Sequence, residues 1–175
     1  YDSMDRKTLQ ADALGTVTRY SYDKRGNRSS QVEGFGFIAA HRALADVNVT
    51  AFAADVQRVS LYTYDAADRL VQERQPIGTV IRHEYTAAGE KAAKIVDAGL
   101  GAQFRNATTR WFYDAGGRMA FEVDPVGSVT QTVYDDFGNA VRSVRGLALD
   151  ANGRPSAAAT PEMRVTAFEY DAAQR

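Results

Sequence analysis

A tyrosine running into a short polar turn recurs along this chain, and no other feature constrains its fold as tightly. The pairs are Tyr1-Asp2, Tyr22-Asp23, Tyr64-Asp65, Tyr85-Thr86, Tyr113-Asp114, Tyr134-Asp135 and Tyr170-Asp171. Successive tyrosines lie 21, 42, 21, 28, 21 and 36 residues apart, so a unit of 21 appears three times, doubles once and is lengthened twice. A fixed period of this size marks a repeat array, in which each unit buries its apolar surface against its neighbours.

The residue types within one copy explain the recurrence. In Asp-x-x-Gly the aspartate caps a turn from its first position, and glycine supplies the left-handed backbone that closes it. Asp23-Lys24-Arg25-Gly26, Asp114-Ala115-Gly116-Gly117 and Asp135-Asp136-Phe137-Gly138 fit this pattern. Asp5 and Asp68 take the glycine position in two other copies, and aspartate tolerates that conformation better than most side chains. Each copy reads as the tip of a β-hairpin. A second turn signal lies half a unit away, at Arg74-Gln75-Pro76-Ile77-Gly78, at Val123-Asp124-Pro125-Val126-Gly127 and at Ala11-Asp12-Ala13-Leu14-Gly15. Between glycine and the next tyrosine lie segments such as Ser128-Val129-Thr130-Gln131-Thr132-Val133, whose β-branched residues suit strands. One repeat is therefore two strands and two turns, and the fold class is all-β, built of antiparallel hairpins of about 21 residues.

Side chains alternate across a strand, so the residue two before each tyrosine shares its face. That residue is Tyr20, Tyr62, Trp111 or Phe168 in four units, and His83 or Thr132 in two others. All nine tyrosines occupy one of these two repeat positions. The expected arrangement is an aromatic ladder along adjacent hairpins. The residues between, Ser21, Thr63, Glu84, Phe112, Val133 and Glu169, are mixed in polarity, which predicts one face wetter than the other.

The chain of 175 residues is expected to be a single segment cut from a longer array, because it starts on a motif tyrosine and runs only five residues past the last. Neither end reads as the atypical terminal unit that protects the edge of such an array. Two stretches depart from the period. In about 31–59, Glu33-Gly34-Phe35-Gly36 is expected to break a strand, Ile38 to Ala45 reads as one or two helical turns, and Val49 to Asp55 reads as a decayed copy with Ala54 in place of the tyrosine. About 146–162 reads as a long exposed loop, and Gly99-Leu100-Gly101-Ala102 as a smaller one.

Twenty-one basic residues balance 22 acidic ones, with no basic block, which argues against nucleic acid and anionic membranes as partners. Without cysteine there is no disulfide, thiolate nucleophile or thiolate metal site. No apolar run is long enough for a membrane helix. His41 and His83 lack ligand spacing, the motif aspartates are turn formers, the glycine clusters do not match a phosphate loop, and no serine sits in a nucleophile elbow. No catalytic residue, metal or cofactor is expected in this segment.

The Tyr-Asp pair followed by x-x-Gly-Arg or x-x-Gly-Asn, recurring near 21 residues, resembles the YD repeats of the Rhs family. The resemblance implies a sheet that curves or spirals into a hollow shell, as in Rhs polymorphic toxins, toxin-complex B and C components, and teneurins. It implies as partners the rest of the parent array and an enclosed C-terminal toxic domain, with a secreted or cell-surface bacterial parent. Asp124-Pro125-Val126-Gly127 lacks the leucine of the family's closing Asp-Pro-x-Gly-Leu motif and reads as an ordinary repeat turn. The resemblance also implies a second role, carbohydrate binding or adhesion, with glycans as partners. The stacking surface would be Tyr20, Tyr22, Tyr62, Tyr64, Trp111, Tyr113, Phe168 and Tyr170.

Overall fold

The computed structural model describes residues 1–37, 50–51, 57–97 and 106–169. Its thirteen strands fall into two compact units. The first, Tyr1–Ile81, holds β1 (Leu9–Ala11), β2 (Thr16–Tyr22), β3 (Arg28–Phe37), β4 (Thr50–Ala51), β5 (Arg58–Tyr64) and β6 (Leu70–Arg74). Its strand order is β1-β2-β3-β5-β6, with β4 added to the end of β3. β7 (Val80–Tyr85) carries the chain into the second unit, where β8 (Lys91–Asp97), β9 (Ala107–Tyr113), β10 (Met119–Val123), β11 (Val129–Tyr134), β12 (Ala140–Leu149) and β13 (Pro155–Ala167) lie side by side in sequence order. Neighbouring strands are antiparallel in both units, as the hairpin reading requires.

One irregularity recurs at four tips. Tyr22 pairs with Arg28 but Ser21 with Ser30, so the returning strand carries one extra residue. The same step occurs at Tyr64 and Leu70, at Tyr113 and Met119, and at Tyr134 and Ala140. A bulge of this kind bends its strand and increases local twist. It is a property of the repeat rather than of one hairpin.

Two expectations are corrected. The stretch 146–162 is not a long loop: β12 runs on to Leu149, Asp150 to Arg154 make a tight turn, and β13 returns from Pro155. Asp150-Ala151-Asn152-Gly153-Arg154 is itself the Asp-x-x-Gly-Arg turn, hidden because leucine rather than tyrosine precedes it. Glu33-Gly34-Phe35-Gly36 does not end its strand either. It is absorbed as a bulge, Val17 pairing with Gly36 and Arg19 with Val32, with Gly34 at φ 64°. Among the described residues β3 pairs directly with β5. Of the stretch taken as a decayed copy only Thr50 and Ala51 are described, and they form β4; the rest, the helical turns expected at 38–45, His41 and the 99–102 loop lie outside the described residues.

The apolar core is small and lies away from the motif tyrosines. Val17 and Val129 are the largest fully buried side chains, and each stands five residues before a motif tyrosine, on the opposite face of its strand. In the second unit Val123, Val129, Val144 and Leu147 form a cluster, with Phe112 and Phe121 packed against it. Phe112 comes from the in-between position that is serine or threonine in the first unit.

Candidate functional site

The hairpin tips concentrate the polar chemistry of this chain. In each Asp tip the aspartate Oδ1 accepts backbone N–H groups from the residues two and four ahead. For Asp114 these come from Gly116 and Arg118, both at 2.9 Å. The backbone closes the same ring, Asp114 N donating to Arg118 O and Gly117 N to Asp114 O. Asp5, Asp68, Gly26, Gly89, Gly117 and Gly138 all take positive φ at the fourth turn position, as expected. The turns at Asp12, Gln75, Asp124 and Asp150 make the same two backbone bonds, so one loop geometry serves both ends of the hairpins.

The residue after that position completes the tip. Arg6, Arg69 and Arg118 each send Nε to the second oxygen of their own aspartate at 2.7–2.8 Å, and Asn139 sends Nδ2 to Asp135 Oδ2 at 3.0 Å. At Tyr85 the pattern is inverted: threonine replaces aspartate, and Thr86 Oγ1 donates to Glu90 Oε2. A donor faces an acceptor either way.

The motif tyrosine then ties one hairpin to the one before. Tyr22 Oη donates to Lys7 O at 2.7 Å, Tyr64 to Arg28 O at 3.1 Å, Tyr113 to Lys91 O at 2.9 Å and Tyr134 to Met119 O at 2.9 Å. In each case the acceptor stands six residues after the preceding motif tyrosine. Arginines cover the rings: Arg6 lies 4.6 Å from the Tyr22 centroid, Arg118 lies 4.9 Å from that of Tyr134, and Arg28 sits over both Tyr20 and Tyr62. Adjacent tips are also stitched directly, since Arg25 donates to Asp65 O and Ala66 O, and Arg118 to Asp135 O. The recurring Tyr, Asp and Arg of Tyr-Asp-x-x-Gly-Arg thus find partners within the sheet. Replacing Tyr134 by phenylalanine is expected to cost about 1 kcal/mol, the net worth of one hydrogen bond. Urea unfolding checks this, and an unchanged midpoint would mean the hydroxyl contributes nothing.

These contacts hold the tip carboxylates ionised. The Arg6 guanidinium lowers Asp2 to about 2. Asp65 is held below the ordinary carboxylate value by the Arg69 side chain, Asp114 by the Arg118 amide and guanidinium, and Asp135 by the Asn139 side chain. For Asp23 desolvation pushes upward, and the bonds from Asn27, Arg25 and Gly26 outweigh it. A carboxyl depressed on folding contributes stability above its unfolded value, near 3.8, and loses it as pH falls through the folded one. The urea midpoint is therefore expected to be flat above pH 4 and to fall as pH drops from there toward about 2; a midpoint unchanged across that window would contradict this wiring. Paired in this way, the tip aspartates form the turns, and no cluster of three metal-ligating side chains occurs among the described residues.

Within each unit two of the expected stacking residues line a groove. Tyr20 and Tyr22 line a groove of about 230 Å³ with Lys7, Gln10 and Arg28. Trp111 and Tyr113 line another of about 340 Å³, beside Glu84, Arg110 and the small Ala92 and Ala93. Trp111 is fixed by its Nε1, which donates to Glu122 Oε2 at 2.9 Å. Tyr62 lies against Arg28, Tyr64 is spent on its backbone bond, Phe168 is exposed, and Tyr170 lies outside the described residues. The arginines are the participants the residue pattern by itself did not reveal; their signal was the regular Arg after the turn glycine.

No family model and no curated protein matches this chain. Solved structures do. A crystal structure of TcdB2-TccC3 without its hypervariable C-terminal region aligns over 94% of this chain with a TM-score of 0.66 and 19% identity. A structure of the Photorhabdus luminescens Tc holotoxin pore aligns over 90%, with a TM-score of 0.63 and 17% identity. This chain has the fold of those toxin proteins. It is the YD-repeat fold that the Tyr-Asp pattern implied, and this chain spans about 7% of the length of the chains it matches. Among the described residues no helix of this YD-repeat sheet is long and apolar enough to cross a membrane.

Proposed function

We propose that this chain is a stretch of wall in a bacterial toxin shell built of YD repeats, without catalysis of its own. The observation that carries this reading is that the motif side chains are used up in joining one hairpin to the next: aspartate to its turn, arginine to aspartate and the following ring, tyrosine to the preceding backbone. A sequence so spent on lateral cohesion suits a barrier. The likeness to the TcdB2-TccC3 fold supports the same reading. The partners are the remainder of the parent array and a toxic domain enclosed by it, and the parent is secreted or displayed at the cell surface. The test is protease protection in the full-length parent. Its C-terminal domain is expected to resist digestion, and to become cleavable when the Tyr113 and Tyr134 hairpins are deleted; equal digestion of both proteins would refute enclosure.

A second reading, glycan binding or adhesion, draws on the two aromatic grooves. Each sets rings beside charged groups, Arg28 and Lys7 in one, Arg110 and Glu84 in the other. Calorimetric titration with a panel of neutral and sulfated oligosaccharides decides it: binding that disappears in Trp111→Ala supports the groove, and no heat with any saccharide removes this reading.

A further inference from the structure

At the tips, Arg6 pairs with Asp2, Arg25 with Asp68, Arg69 with Asp65 and Arg118 with Asp114. Arg145 and Arg164 differ, for no ion pair among the described residues includes either of them. Yet the two are cross-strand partners, Arg145 on β12 opposite Arg164 on β13. Directly opposed residues of an antiparallel pair share a face, with Cα atoms within about 5.5 Å, and like charges in that position repel. Val144 is buried in the apolar cluster, so its neighbour Arg145 points to the other face of the sheet. On its other flank Arg145 faces Thr130, which brings no charge. Two adjacent guanidinium groups thus stand without a carboxylate partner among the described residues.

The same point is where the pairing of β12 and β13 slips. From Arg145 to Leu147 β12 advances two residues, while from Ala159 to Arg164 β13 advances five, so β13 carries three extra residues here. The bulge is fastened at its start, where Thr160 Oγ1 donates to Gly146 O at 2.6 Å. Beside it lies a cavity of about 610 Å³, lined by the two arginines, Ser128, Pro161, Glu162 and Met163. Bulges recur next to binding and active sites because they re-aim side chains and interrupt the ladder.

The lining carries two positive charges and one negative, that of Glu162, which pairs with neither arginine. Two guanidinium forks offer more N–H donors than a single carboxylate accepts, and they match the three acceptor oxygens of a phosphoryl group. The Ser128 hydroxyl adds a further donor. A cavity of this volume takes a small organic molecule rather than a bare ion.

We propose that this cavity binds a phosphate monoester of small-molecule size, its phosphoryl group held between Arg145 and Arg164 and its organic part against Pro161 and Met163. The bound anion relieves the repulsion between the arginines, so binding stabilises the second unit. Isothermal titration at fixed ionic strength compares inorganic phosphate with glycerol phosphate. Both are expected to bind, the ester more tightly. Arg145→Gln and Arg164→Gln are each expected to weaken binding by about tenfold or more, the worth of a charge-assisted hydrogen bond, and Glu162→Gln to tighten it by removing the one repelling charge. Urea unfolding followed by Trp111 fluorescence separates binding from a structural role. Without ligand, Arg164→Gln is expected to keep its midpoint at or above that of the wild type; glycerol phosphate is expected to raise the wild-type midpoint and leave that of the variant unchanged. No heat with either compound, an ester that binds no better than phosphate, affinities unchanged in both arginine variants, weaker binding by Glu162→Gln, or a midpoint that falls in ligand-free Arg164→Gln would each overturn the proposal.

Discussion

Gly146→Ala is expected to destabilise the second unit by about 3 kcal/mol, from a strained backbone and a direct clash together. Gly146 sits at φ 77°, and a Cβ added there would lie 2.8 Å from Glu162 O, 2.9 Å from Glu162 C and 3.0 Å from Met163 N. Those are backbone atoms of the bulge at which β13 skips from Arg164, opposite Arg145, to Ala159, opposite Leu147. The bulge is also tied to Gly146, whose carbonyl accepts Thr160 Oγ1 at 2.6 Å. Relief would require β13 to move away from β12. Gly138 provides the control: its φ is 90° and nothing lies within 4 Å of the added Cβ, so Gly138→Ala carries strain alone, about 1–2 kcal/mol. Trp111, the chain's one tryptophan, belongs to this unit and reports its urea unfolding by fluorescence. Equal losses for the two variants would show that the close approach at Gly146 is not what matters.

Val129→Ala is expected to cost about 2–3 kcal/mol, the transfer free energy of the deleted methyl groups plus the cavity they leave. Val129 has no exposed surface and packs with Val123, Val144 and Leu147, so little else can close over the gap. Val126, three residues earlier, is 84% exposed at the tip of the preceding turn, and Val126→Ala is expected to change stability by less than about 0.5 kcal/mol. The same fluorescence titration distinguishes them. Similar midpoints for both variants would place the cohesion of this unit in its tips rather than in its valine cluster.

The hairpins were legible because their signals are local. Asp-x-x-Gly reports its turn from four neighbouring residues, and left-handed backbone at Asp5 and Asp68 follows from the same short window. Position in the array was legible for a related reason, since a period in sequence becomes a period in space when each unit packs on the next. The 146–162 stretch was misread because alanines, prolines and a glycine look like loop composition, whereas its strands are held by pairing with β12 that lies many residues away. The Glu33–Gly36 bulge escaped for the same reason: whether a glycine pair ends a strand or only bends it depends on the partner.

For the candidate sites, the tyrosines and Trp111 were identifiable from alternation, but what they touch was not. That Tyr134 reaches Met119 O, or that Arg28 lies across both Tyr20 and Tyr62, depends on the recurrent bulge that resets the returning strand by one residue. The order of residues alone determined the repeat unit, its turns and which side chains alternate, because those rest on backbone preferences spanning a few bonds. Only the assembled sheet decided which face became the core and which tyrosine hydroxyls were consumed, because each of those depends on the side-by-side placement of strands distant in sequence.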